Sequence, residues 1–106
     1  PVFAAIRRRH EVQVEFSPSG ERTQLGLLCA DRPGLLAHVA RALRSCGVRV
    51  HDARIATFGE RVEDFFLLTD ERDRAVDDQA LLDKLSQAIV ACADGETDHG
   101  SKQARN

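Results

Sequence analysis

The chain has 106 residues, a formal net charge of −2 with acid and base interspersed, and 42% hydrophobic residues. That allows one domain with a modest core and excludes the strong basic field that nucleic acid or an anionic membrane demands. No apolar stretch approaches the ~20 residues of a membrane span, and no signal peptide is visible. Cys29, Cys46 and Cys92 are odd in number and widely spaced. They suit small core residues in a reducing, cytoplasmic compartment better than a disulfide framework or a zinc site.

The chain lacks Met and opens on Pro1, so a fragment of a longer protein is expected, with trimming of a start Met as the alternative. Residues 1–11 carry a short apolar cluster and the basic run Arg7-Arg8-Arg9-His10; they read as a solvated linker from a preceding domain, partly helical at most. Val12, Val14 and Phe16 alternate with Gln13 and Glu15, the period of a half-buried strand. Ser17-Pro18-Ser19-Gly20 is a turn cluster. Thr23 to Ala30 follows as a strand apolar on both faces, central in its sheet and joined to its predecessor as a hairpin.

Asp31-Arg32-Pro33-Gly34-Leu35-Leu36 divides strand from helix. Pro33 pushes Arg32 out of helical geometry, so a helix can begin only at about Pro33 or Gly34. Leu35, Leu36, Val39, Ala40 and Leu43 supply its apolar face, and Gly47 stands where a left-handed residue ends it. Gly34 lets backbone or ligand approach the first turn closely. Unpaired N–H groups at the positive end of the helix dipole would seat a carboxylate. The plainer reading of the same residues is a strand-to-helix turn with no ligand.

Val48 to Thr57 forms the next strand, its apolar parity changing near His51-Asp52 in a way that a bulge would reconcile. Gly59-Glu60 turns the chain into Arg61 to Thr69, with Val62, Phe66 and Leu68 on one face and Phe65 and Leu67 on the other. Asp70 to Asp73 is a charged loop. The second helix spans about Asp77 to Ala93, with Leu81, Leu82, Leu85, Ile89 and Cys92 on its buried stripe and Asp77 or Asp78 as N-cap. Residues 94–106 are polar and expected to be a disordered tail.

The order β-β-α-β-β-α matches a ferredoxin-like α+β domain over residues 12–93, an antiparallel sheet with two helices on one face. Its closing strand is absent from the C-terminal end, and the N-terminal strand Val12 to Phe16 fills that position. Leu28, Phe65 and Leu67 are left on the open face, where a neighbouring domain or second copy would cover them.

With that turn between strand and helix, and with the run His51-Asp52-Ala53-Arg54-Ile55-Ala56-Thr57-Phe58-Gly59-Glu60-Arg61-Val62-Glu63-Asp64-Phe65-Phe66, the chain resembles the ACT domain family of small-molecule regulatory modules. Within it, the wording is similar to the C-terminal ACT domains of bacterial enzymes that attach UMP to the nitrogen-signalling protein PII and remove it. The resemblance implies a non-catalytic glutamine-sensing module. Catalysis, with an expected Mg requirement and PII as substrate, would lie in other domains; no cofactor is expected in this fragment. Glutamine would bind at Asp31, Arg32, Pro33, Gly34, Leu35 and Leu36. Its carboxylate would meet amides of about Gly34 to Leu36, and Asp31 would take the α-ammonium or cap the helix. Ile55 and Thr57, on the strand from Arg54 to Thr57, would help complete the pocket against an adjacent or dimer-mate ACT domain. The alternative is an ACT-type dimerisation module of another regulator, with no ligand of its own. His10, His38, His51 and His99 are scattered, so neither a metal site nor a catalytic constellation is expected.

Overall fold

The structure, a computed structural model, describes residues 7–9 and 12–94; the expected tail beyond Asp94 lies outside them. Seven elements follow in order: β1 (Arg7–Arg9), β2 (Val12–Ser19), β3 (Arg22–Ala30), α1 (Leu35–Ser45), β4 (Arg49–Phe58), β5 (Arg61–Thr69) and α2 (Gln79–Asp94). They build one antiparallel sheet in the order β1-β2-β3-β5-β4.

The alternation in β2 has the expected result: Val12, Val14 and Phe16 are buried while Gln13 and Glu15 are half-exposed. β2 occupies the closing position beside β3, so the sheet is completed from the front of the chain. Two expectations need correcting. Arg7–Arg9, read as solvated linker, pairs with Val12 to Val14 as a short fifth strand. Three arginines carry no apolar period, so only backbone hydrogen bonding could reveal them as strand. The turn cluster at Ser17 to Gly20 is mostly strand: Pro18 pairs with Thr23 and Ser19 with Arg22. Pro18 lies beyond the stretch that β1 covers, where β2 is an edge and a missing N–H is tolerated. The turn itself is Gly20-Glu21. Gly20 at φ 60 is the only one of the two with positive φ, as a two-residue II′ hairpin requires.

One face of the sheet holds the core. Phe16, Leu25, Leu27, Phe66 and Leu68 pack against Leu35, Val39 and Leu43 of α1 and Leu82, Leu85 and Ile89 of α2. Helix α1 closes as its sequence dictates. Gly47 at φ 79 lets its N–H donate to Arg44 O and the Val48 N–H to Leu43 O, the paired bonds of a Schellman end, with Leu43 and Val48 both buried. Helix α2 begins at Gln79, with Asp78, one of the two expected caps, as its N-cap. The Asp78 carboxylate accepts from the Leu81 N–H at 3.2 Å while its carbonyl accepts from Leu82. In β4 the register slips between Val50 and Asp52, which is the bulge the parity change required. On the open face, Leu28, Phe65 and Leu67 are half-buried.

Candidate functional site

The site grows from the end of β3. Asp31 extends the pairing by donating its N–H to Glu60 O at 2.9 Å. The chain then reverses through Arg32-Pro33-Gly34-Leu35. Leu35 N–H donates to Arg32 O at 3.3 Å, and Gly34 sits at φ 76, ψ 4. These are the marks of a type II turn, with Pro at the second position and Gly at the third. Gly34 is therefore the left-handed cap before α1, and the helix starts at Leu35, later than the sequence suggested. The reason for glycine differs as well. A Cβ here would meet only the His38 ring at 3.8 Å, so the demand is conformational more than one of close approach.

No side chain among the described residues caps α1, and its first turn contains no acidic residue. This corrects the alternative in which Asp31 caps the helix. Leu35 N–H is spent in the turn and His38 N–H bonds Gly34 O. Among the described residues, the N–H groups of Leu36 and Ala37 are left without an acceptor, at the positive end of the helix dipole. Of the expected donors Gly34, Leu35 and Leu36, Leu35 is thus spent in the turn, and Ala37 joins Leu36 as a helix amide.

Below that turn lies a cavity of about 330 Å³, within the size range of small-molecule sites. It brings together Asp31, Arg32, Gly34, Leu35, Leu36, Ile55 and Thr57 from the sequence-derived set; Pro33 shapes the turn and does not line it. Strand alternation in β4 turns Ile55 and Thr57 toward the cavity. Arg54 faces the opposite side with Phe65, where it borders a separate depression of about 380 Å³. Arg32 lines the cavity, and its guanidinium also donates to Cys92 O at 3.2 Å, in the last turn of α2. That contact satisfies a helix-end carbonyl with a cation where the dipole favours one.

Three lining residues escaped the sequence reading: Ala37, Val62 and Asp64. Asp64 matters most. In register it lies between Leu27 of β3 and Ile55 of β4, on the inward face with Val62, Phe66 and Leu68. It is only 1% exposed, and neither carboxylate oxygen has a hydrogen-bond partner among the described residues. Burial, with the Asp31 charge adding to it, pushes its carboxyl above the usual value. Burial likewise pushes the neighbouring Cys29 thiol up to about 11, making it an inert core residue. The parity of β5 was the available signal for Asp64, since the alternation that buries Val62 and Phe66 must bury the residue between them. Among the described residues no cluster of three or more His, Cys, Asp or Glu side chains could hold a metal ion.

The model of the ACT domain matches residues 23–88, from β3 through most of α2. The chain belongs to the ACT domain family. This ACT domain is 56% identical over 88 residues to a protein named bifunctional uridylyltransferase/uridylyl-removing enzyme from Xanthomonas campestris pv. campestris (strain B100), covering 81% of the chain and 10% of that protein. Identity is 54% over 88 residues to the protein of the same name from Xanthomonas euvesicatoria pv. vesicatoria (strain 85-10), with the same coverage. It is 44% over 73 residues, 69% of the chain and 8% of the relative, for that from Methylococcus capsulatus. The chain therefore spans about a tenth of the length of these relatives or less.

Proposed function

We propose that this ACT domain is the glutamine-sensing module of a bifunctional uridylyltransferase/uridylyl-removing enzyme whose substrate is PII, with catalysis carried by other domains. The observation that supports this most is the cavity itself, where two unpaired helix amides and a buried, unpartnered carboxylate border one space large enough for an amino acid. The amides of Leu36 and Ala37 receive the ligand carboxylate, and the half-exposed rim at Ile55 and Thr57 contacts its side chain.

The energetics are undemanding. A sensor tuned to millimolar metabolite needs about −4 kcal/mol, or ~0.4 kcal/mol for each of about ten heavy atoms, inside the usual range for small ligands. Sensing also requires that glutamine favour one arrangement of domains over another, because equal affinity for both shifts nothing. The β4 edge is where such an arrangement would be read. It is the last strand of the sheet, and Ile55 and Phe58 are 53% and 61% exposed there. An adjacent ACT domain adding its strand to β4 would wall the cavity at Ile55 and Thr57. The same edge favours the rival reading, a dimerisation module with no ligand.

The test is enzymatic. In the intact protein, glutamine should shift the balance between uridylyl transfer to PII and uridylyl removal, and Gly34→Val should abolish that shift while both basal activities persist. A full glutamine response in Gly34→Val would remove this site from the sensing function and leave the dimerisation reading.

A further inference from the structure

We infer that Asp64 is the acceptor for the ligand's α-ammonium group, so that this cavity selects molecules carrying a free amino group. The inference rests on the amino-acid-sensing reading and adds to it the residue that reads the cationic pole.

Two carboxylates border the cavity, and they are not equivalent. Asp31 is exposed, so any ion pair it makes is screened by water and worth little. Asp64 is 1% exposed with both oxygens unpartnered among the described residues. A buried charge without a partner is costly, and in native proteins such a group calls for a reason. The charged groups around it do not supply one. Arg32 in the turn directs its guanidinium to Cys92 O, and the Asp31 charge only adds to the cost of ionising Asp64. β4 presents Ile55 and Thr57, and α1 presents Leu35, Leu36 and Ala37, none of them charged. An ammonium entering from the open β4 side would give the Asp64 oxygens a hydrogen-bond partner that they lack among the described residues, and it would do so where little water competes. The helix amides and the buried carboxylate then give the cavity two poles of opposite sign, matching the two charges of an α-amino acid.

The experiment is a thermodynamic cycle. Binding of glutamine and of its desamino analogue, 4-carbamoylbutanoate, is measured calorimetrically in the intact protein, as wild type and as Asp64→Asn. Wild type is expected to prefer glutamine by at least about tenfold, the size of one charge-assisted hydrogen bond. Asp64→Asn should lose at least about tenfold for glutamine yet hold the analogue as well as wild type does. Equal glutamine affinity in both proteins, or losses that simply add, would overturn the assignment while leaving amino-acid sensing in place. A wild type that takes up no glutamine would instead remove the sensing reading, and this inference with it. As a folding control, Asp64→Asn should unfold no earlier than wild type; a lower midpoint would make Asp64 a structural residue and overturn its assignment to the ligand.

Discussion

Removing the charge of Asp64 should stabilise the folded domain, and only where that charge exists. Asp64 is 1% exposed and both its oxygens lack hydrogen-bond partners among the described residues. Its carboxyl is raised above 3.8 by burial first and by Asp31 second. The folded chain therefore holds this proton more tightly than the unfolded chain. The stability that Asp64 allows is complete below 3.8 and is lost as pH rises through the raised folded-state value. Each unit of that shift costs about 1.4 kcal/mol at neutral pH. An unpaired buried polar group costs about 1–3 kcal/mol, and a charged one more. Asn keeps the shape but leaves an unpaired amide, so the net gain of Asp64→Asn is about 1–2 kcal/mol near neutrality. For a domain of this size each kcal/mol moves the midpoint by roughly 4–8 °C. Thermal unfolding of the 106-residue chain, followed by circular dichroism, should show the rise at about pH 7 and none at about pH 3.5. No rise at neutral pH, or the same rise at both, would refute the buried-charge argument.

Two further predictions concern the frame of the site. Thr23 is buried; its hydroxyl donates to Val76 O at 2.9 Å and accepts from the Val76 N–H at 2.8 Å, clamping the segment before α2 onto β3. Thr23→Val strands both backbone groups and should cost about 2 kcal/mol or more, measured by urea unfolding; a loss under about 0.5 kcal/mol would refute the clamp. Asp70 accepts the Arg74 and Arg72 N–H groups at 3.0 and 2.8 Å, which hold its carboxyl below 3.8. Its contribution is present above 3.8 and fades as pH falls through the lowered folded-state value, so an NMR-detected carboxyl midpoint at or above 3.8 would contradict the geometry.

Much of the frame was legible because it follows from period and punctuation. Val12, Val14 and Phe16 announced the strand that closes the sheet, Gly47 announced the end of α1, and the parity break near His51 announced the bulge. What stayed hidden has physical reasons. Arg7–Arg9 pairs with β2, yet three arginines in a row offer no apolar period to follow. The Pro33-Gly34 pair is itself a type II signature, but proline also suits the first position of a helix, and that reading draws the boundary back over the turn. Asp64 was obscured by its type, since a carboxylate amid Val62, Phe65 and Phe66 reads as solvent-facing until the strand's parity is followed strictly. Leu35 left the set of available amides because the turn consumed its N–H, a bond that only the backbone geometry discloses.

The account stands or falls on whether the amides opening α1 hold the ligand. Hydrogen exchange of the intact protein, resolved to the Leu36 and Ala37 amides and compared with and without saturating glutamine, addresses this directly. Both amides should exchange quickly without glutamine, having no acceptor among the described residues, and slow markedly when the ligand carboxylate binds them. Unchanged exchange at both positions, with glutamine shown to be bound, would place the ligand elsewhere and contradict the account.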